Sequence, residues 1–181
     1  SSKADFAFLQ HMIYHLSENG TMALVLPHGA LFRGSTEAHI RKYLIAEKNY
    51  LDAVIGLPGN VFYGTSIPTC ILVLKKCREN PDHILYIDGS EHYEKIKTQN
   101  VLLETHIEKI LSTYKTYLEG EHVKADEKKY SRVVSINNIS ENEFKLNISR
   151  YIDTFDEEQP IDINAISKKL GNIKDESISN D

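Results

Sequence analysis

Apolar and polar positions change period several times along the first 76 residues. In "ADFAFLQHMIYHLS" (4–17), Phe8, Leu9, Met12, Ile13 and Leu16 recur at i, i+4, i+8 spacing, which predicts an amphipathic helix. Gly20 then serves as its stop, because glycine enters positive φ at little cost. "TMALVLP" (21–27) is a continuous apolar run, the pattern of a strand covered on both faces. "DAVIGLP" (52–58) and "CILVLKK" (70–76) read as two more buried strands. Between the first two runs, Ser35 or Thr36 caps a second helix, with Glu37 in its first turn and Ile40, Tyr43 and Leu44 on one side.

The order is therefore α-β-α-β-loop-β. A helical crossover joins the first two strands, so a parallel pair with a right-handed connection is expected. Residues 59–69 are too few for such a crossover, so the third strand returns antiparallel. A parallel sheet that ends in one antiparallel strand is the far edge of a doubly wound α/β domain. Downstream, "HILYIDGS" (83–90) is a fourth strand. Leu103, Ile107, Ile110, Leu111, Tyr114 and Leu118 mark a helix over 102–118, and "SRVVSI" (131–136) is a short strand. "ISENEFKLNISRYID" (139–153) has no clear period. "DTFDEEQPID" reads as a linker or exposed edge, 161–170 as a short helix, and the polar tail from Gly171 as disordered.

Composition narrows the class. A chain of 181 residues, 41% hydrophobic and 26% charged, suits one domain with a real core, or one domain plus an appendage. No apolar run approaches the roughly 18 residues of a membrane span. Cys70 and Cys77 have neither a disulfide framework nor metal-ligand spacing. They read as free thiols in a reducing compartment, with Cys70 in the core, which points to the cytoplasm. The net charge of −5 is unevenly spread: residues 1–80 carry +2 and residues 81–181 carry −7. A nucleic-acid surface on the first half would be weak and would need help from elsewhere.

Candidate chemistry falls on loops that leave strand ends. "PHGALFRG" (27–34) and "PGNVFYGTSIP" (58–68) follow parallel strands and should face one crevice, where open α/β sheets bind ligands. "DGSEHYE" (88–94) leaves a third strand end. His28, Arg33, Asn60, Phe62, Tyr63, Thr65 and Ser66 are candidates to line the crevice. Phe62 is either a stacking platform for a flat ligand or a ring packed under its own loop. His28 is either a crevice residue or a loop histidine bonded to local backbone. Arg33, Arg41 and Lys42 either touch phosphates or form a solvated helix face. "NPDH" (80–83) reads as a simple turn. The sequence holds no glycine-rich turn after a strand for a nucleoside cofactor, and no GxSxG, HExxH or CxxC.

"SKADFAFLQHMIYHLSENGTMALVLPHGALFRGSTEAHIRKYLI", then "LDAVIGLPGNVFYGTSIPTCILVLKK", resembles the modification subunit of type I restriction–modification systems. The likeness continues through "ILYIDGSEHYEK" and "YSRVVSINNISENEFKLNISRYIDTF". The resemblance implies a DNA adenine methyltransferase that uses S-adenosylmethionine and modifies the N6 amino group. It implies a Rossmann-like sheet whose seventh strand is antiparallel, with a C-terminal α+β extension. It divides the chain into 1–90, the second half of the catalytic domain; 91–160, a helix/strand extension; and 161–181, a short helix and tail. The family's F-x-G-x-G cofactor turn and (N/D)-P-P-(F/Y) tetrapeptide are absent. They are expected upstream of Ser1, so the chain corresponds to a C-terminal portion that is inactive alone. Helix 4–17 matches a segment flanking the cofactor pocket, with Asp5 and Phe6 at its start. "FYGT" matches the motif whose aromatic stacks on the flipped adenine: Phe62 first, Tyr63 second. The implied partners are DNA, a specificity subunit and a restriction subunit, with no membrane. A non-catalytic module that docks a specificity subunit is the alternative. An unrelated α/β enzyme with its pocket at the same two loops is a third reading.

Overall fold

The computed structural model describes residues 4–153; the expected linker, short helix and tail lie outside them. Three strands come from the first 76 residues: β1 (Thr21–Pro27), β2 (Leu51–Gly56) and β3 (Thr69–Lys75). β4 (His83–Asp88) and β7 (Ser131–Ser135) complete a five-stranded sheet of order β1-β3-β2-β4-β7. A separate two-stranded hairpin is made by β5 (Glu94–Ile96) and β6 (Gln99–Val101).

β3 does run antiparallel, as its short connection requires, and it does so against both neighbours. It is not the sheet's edge, however. β3 inserts between β1 and β2, so those two run in the same sense without touching as a pair. β2 and β4 form the parallel pair, and β7 closes the other side antiparallel to β4.

Side chains alternate cleanly across the sheet. Val54, Leu72, Leu74, Ile84 and Tyr86 point to one core with Phe6 and Leu9 of α1 (Asp5–His15) and with Ile139 of α5 (Ile136–Glu141). Ile148 and Tyr151 of α6 (Ile148–Tyr151) join that core. Ala53, Ile55, Val73, Leu85 and Ile87 point to the other, against Tyr117 of α3 (Glu104–Leu118) and Ala125 of α4 (His122–Ala125). The unbroken apolar runs of β2 and β4 thus serve two covered faces. β1 departs from that expectation. It alternates buried and exposed positions, and Val25 is 45% exposed, because α1 covers only one of its faces.

Local corrections follow from packing. Phe8, expected on the inner stripe of α1, is 66% exposed, and Phe6 takes the buried place. Gly20 does not adopt positive φ. A Cβ there would lie 2.7 Å from Leu16 Cδ1 and 2.8 Å from Ser17 Oγ, so crowding demands the glycine. Ser35 stands at the N-cap of α2 (Thr36–Lys42), but its side chain makes no capping bond and its φ is +58°. α2 runs on into a π turn over Tyr43–Glu47, closed by Lys48 N–H donating to the Tyr43 carbonyl at 3.0 Å. The wider turn rotates the helix face. Leu44 and Ile45 are buried there and Tyr43 is not, while Glu37 and Arg41 are buried in the α-helical turns before it. The aperiodic 139–153 stretch is two short helices, α5 and α6, separated by left-handed residues Glu143 and Phe144.

Candidate functional site

β1, β2 and β4 run in one sense, so their carboxyl ends and the loops that follow share one edge of the sheet. The two loops singled out above lie side by side there: His28 N–H donates to the Pro68 carbonyl (3.3 Å), and Leu57 N–H to Thr69 (2.9 Å). Loop 58–68 is drawn tight at its base. A Cβ on Gly59 would sit 2.9 Å from the Ser66 carbonyl oxygen, so only glycine lets the two limbs approach. Asn60 (φ +56°) and Gly64 (φ +76°) turn the chain through left-handed backbone. Thr65 Oγ1 accepts from Ile67 N–H at 3.2 Å and shapes the far limb.

Against this loop stands the β5–β6 hairpin. Asn100 N–H donates to the Asn60 carbonyl (3.0 Å), and Asn100 Nδ2 to the Gly59 carbonyl (2.8 Å). Gln99 Nε2 donates to the Val61 carbonyl (2.9 Å). Loop and hairpin enclose a cleft of about 280 Å³ lined by Asn60, Phe62, Tyr63, Gly64, Thr65, Ser66, Thr98 and Gln99. Phe62 is 44% exposed and Tyr63 93%. Both rings are thus free to meet a flat molecule, and the amides and hydroxyls around them can read its edge.

The remaining candidates are placed elsewhere. Arg33 is taken up by ion pairs to Asp5 and to Glu37 Oε2 (2.7 Å). Those contacts raise its already high pKa, the hydrogen bond it donates to Glu37 contributing most. Arg33 and Asp5 are therefore brought together, and their pairing ties α1 to the loop after β1. Phe6 is a core side chain. Arg41 is neither a phosphate ligand on the surface nor part of a solvated face. It is buried and donates to the Ala30 (3.1 Å) and Phe144 (3.2 Å) carbonyls. "NPDH" is more than a turn: Asn80 Nδ2 donates to the Tyr117 carbonyl at 2.7 Å, and His122 Nε2 lies 2.9 Å from Asn80 Oδ1.

His28 opens the turn that follows β1 and is not among the residues that line the cleft. Burial lowers its pKa, while a hydrogen bond to the Thr69 backbone and the charge of Asp88 act the other way. His92 is lowered by burial first and then by Lys109, with Asp88 again opposing. His28 Nε2, Thr69 Oγ1 and His92 Nδ1 are three of the five buried side-chain atoms without a hydrogen-bond partner among the described residues, a rare condition in folded proteins. All three residues lie at the carboxyl edge of the sheet or at the start of the strand that meets it. Close glycine approaches at this edge are filled by the chain itself. A Cβ on Gly89 would lie 2.7 Å from the Gly56 carbonyl oxygen, one on Gly56 2.7 Å from Ile148 Cδ1, and one on Gly29 3.0 Å from Arg33 Nη1. No group of three or more His, Cys, Asp or Glu among the described residues is placed to hold a metal ion. No described helix is long and apolar enough to cross a membrane.

A family model for N-6 DNA methylases matches residues 1–160. The chain belongs to that family. Relatives of this N-6 DNA methylase chain include the type I restriction enzyme MpnII methylase subunit of Mycoplasma pneumoniae, 38% identical over 97% of the chain. The MjaVII methylase subunit of Methanocaldococcus jannaschii is 34% identical, again over 97% of the chain. The chain covers 31% of either relative. The crystal structure of the type I restriction-modification methyltransferase subunit from Streptococcus thermophilus matches at 49% identity and a TM-score of 0.77. That match takes in 84% of this chain and 31% of the other. The chain thus spans about a third of the length of the curated relatives it matches. The α/β fold expected of a methyltransferase sheet is the one observed.

Nothing in the sequence pattern marks Gln99 and Asn100. "EKIKTQNV" has no Asn-Gly, Gly or Pro at its turn, and Lys97 alone takes the left-handed φ of +52°. Asp88 and His92 were in view only as parts of "DGSEHYE"; nothing in their spacing tied them to His28.

Proposed function

We propose that this chain is the C-terminal portion of a type I modification subunit that transfers a methyl group from S-adenosylmethionine to N6 of adenine in DNA. Loop 58–68 receives the extruded base. The observation that carries this reading is Phe62, half exposed on a base-sized cleft at the strand edge of an N-6 DNA methylase chain. A base inside the duplex cannot present its amino group to a methyl donor. Extruding it costs a few kcal/mol. Stacking on an aromatic face returns about 1–3 kcal/mol per base. Phe62 supplies that face and Tyr63 is the second candidate, while Asn60, Thr65 and Ser66 border the base. The chain's role is to orient, and much of such a reaction's barrier is lowered by orientation. Asp5 and Phe6 flank the donor side indirectly, by fixing α1 to the sheet and to Arg33. His28 stays a candidate to meet DNA or base from the neighbouring loop after β1. The acidic second half offers its surface to the specificity and restriction subunits, and the whole works in the cytoplasm.

The test uses the full-length subunit in its active complex, with a duplex carrying 2-aminopurine at the methylated position. Phe62→Ala should lower the extruded population by the equivalent of about 1–3 kcal/mol, read as fluorescence, and lower kcat with it. This chain alone should transfer no methyl group. Loss with Tyr63→Ala and none with Phe62→Ala would move the stacking role to Tyr63. Wild-type fluorescence and rates in both variants would remove the loop from the base site.

A further inference from the structure

The geometry points to the β5–β6 hairpin as a brace for the base-facing loop, with Gln99 and Asn100 as positioning residues. This inference rests on the stacking role proposed for loop 58–68. Three consecutive carbonyls, those of Gly59, Asn60 and Val61, each receive an N–H from residue 99 or 100, at 2.8, 3.0 and 2.9 Å. They are the three residues immediately before Phe62. The middle one, Asn60, holds a left-handed φ of +56°, a region non-glycine residues occupy only when their surroundings hold them there. On its other side Gly59 is pressed against Ser66. The limb that carries Phe62 is therefore gripped from both flanks, and the direction in which the ring leaves the loop is set from the hairpin.

The dependence is mutual. β5 and β6 belong to a sheet of their own, and a lone two-stranded ribbon is marginal in water. The bonds to Gly59, Asn60 and Val61 give the ribbon its anchor. Its tip contributes in turn: Thr98 and Gln99 line the same cleft as Phe62 and Tyr63. The hairpin sets both the pose of the stacking ring and the width of the slot that the base enters.

The experiment uses the full-length subunit in its active complex and the same 2-aminopurine duplex. Asn100→Ala removes one side-chain donor and should reduce the extruded population and kcat/KM together by about threefold to tenfold, the worth of one hydrogen bond. Affinity for S-adenosylmethionine and the thermal midpoint should hold. Asn100→Gln keeps a donor and should recover part of the loss. Asn100→Asp, which sets a carboxylate against the Gly59 carbonyl, should be no better than alanine. Gln99→Ala should act in the same direction, and it serves as the probe if Asn100 variants fail to fold. Wild-type extrusion in Asn100→Ala and Gln99→Ala, beside a loss in Phe62→Ala, overturns the brace and leaves the stacking role standing. Silence in Phe62→Ala and Tyr63→Ala overturns the stacking role, and the brace with it. An equal fall in extrusion, cofactor affinity and thermal midpoint would mark the contacts as merely structural and also overturn the brace.

Discussion

At the residue scale, the site is organised by where side chains are excluded as much as by where they project. β2 and β4 run parallel with Gly56 opposite Asp88, and Gly89 N–H then donates to the Gly56 carbonyl at 3.0 Å. A methyl group at 89 would strike that carbonyl oxygen at 2.7 Å. The obstacle is backbone in the middle of the sheet and cannot swing away. Gly89→Ala should destabilise by about 1–3 kcal/mol. Gly34→Ala, which faces open space, should stay within about 0.5 kcal/mol. Urea midpoints of the two variants check the contrast; equal midpoints would mean that the sheet edge yields. Such crowding is invisible in a sequence, where Gly34, Gly59 and Gly89 look alike as loop glycines. Phe62 was legible because an aromatic inside a Pro/Gly-bounded loop after an apolar run stands out. Gln99 and Asn100 were not, since polar residues on a short ribbon carry no period and their partners are main-chain atoms some 40 positions away.

At the element scale, the two ends of the sheet do different work. The amino end of β2 is locked by a buried ion pair between Asp52 and Arg78 at 3.0 Å. Tyr114 OH donates to the other Asp52 oxygen at 2.6 Å. Burial, then that carboxylate, pushes the Tyr114 hydroxyl far above its usual pKa, so it remains a donor. Arg78 also reaches Asn49, the His83 carbonyl and the Asn80 carbonyl (3.0 Å). The lock joins β2, the turn before β4, and α3. Asp52→Ala leaves a buried guanidinium without its carboxylate and should cost about 3–5 kcal/mol. Denaturant unfolding measures it, and a loss under 1 kcal/mol would show that the carbonyls alone satisfy Arg78. Element identity was largely readable from period: α1, β2, β3, β4, α3 and β7 lie where the pattern puts them. β1 was misread because a continuous apolar run does not reveal whether both faces find cover. α5 and α6 were missed because four- and six-residue helices complete barely one or two turns, too few for a period.

At the scale of the whole molecule, three histidines are held neutral by burial: His28, His92 and His122. Each has a folded pKa below the ordinary 6.5. The unfolded chain then binds protons more readily, so stability is full above about pH 6.5 and falls as pH drops below it. Thermal midpoints at pH 7.5, 6.5 and 5.5 should be level over the first interval and fall over the second. His28→Gln should flatten part of that fall, and a midpoint unchanged down to pH 5.5 would contradict the buried neutral assignment. Glu79 and Glu143, lowered by their lysine partners, contribute above about pH 4.5 and are lost only below it, in a separate window. The sheet order also has a consequence for synthesis. β1 and β2 leave the ribosome first, yet their shared neighbour is β3, the last of the three. A nascent chain cut short before Thr69 lacks the strand that β1 and β2 share. The two join side by side only when Lys75 emerges and the third strand slides into the gap between them.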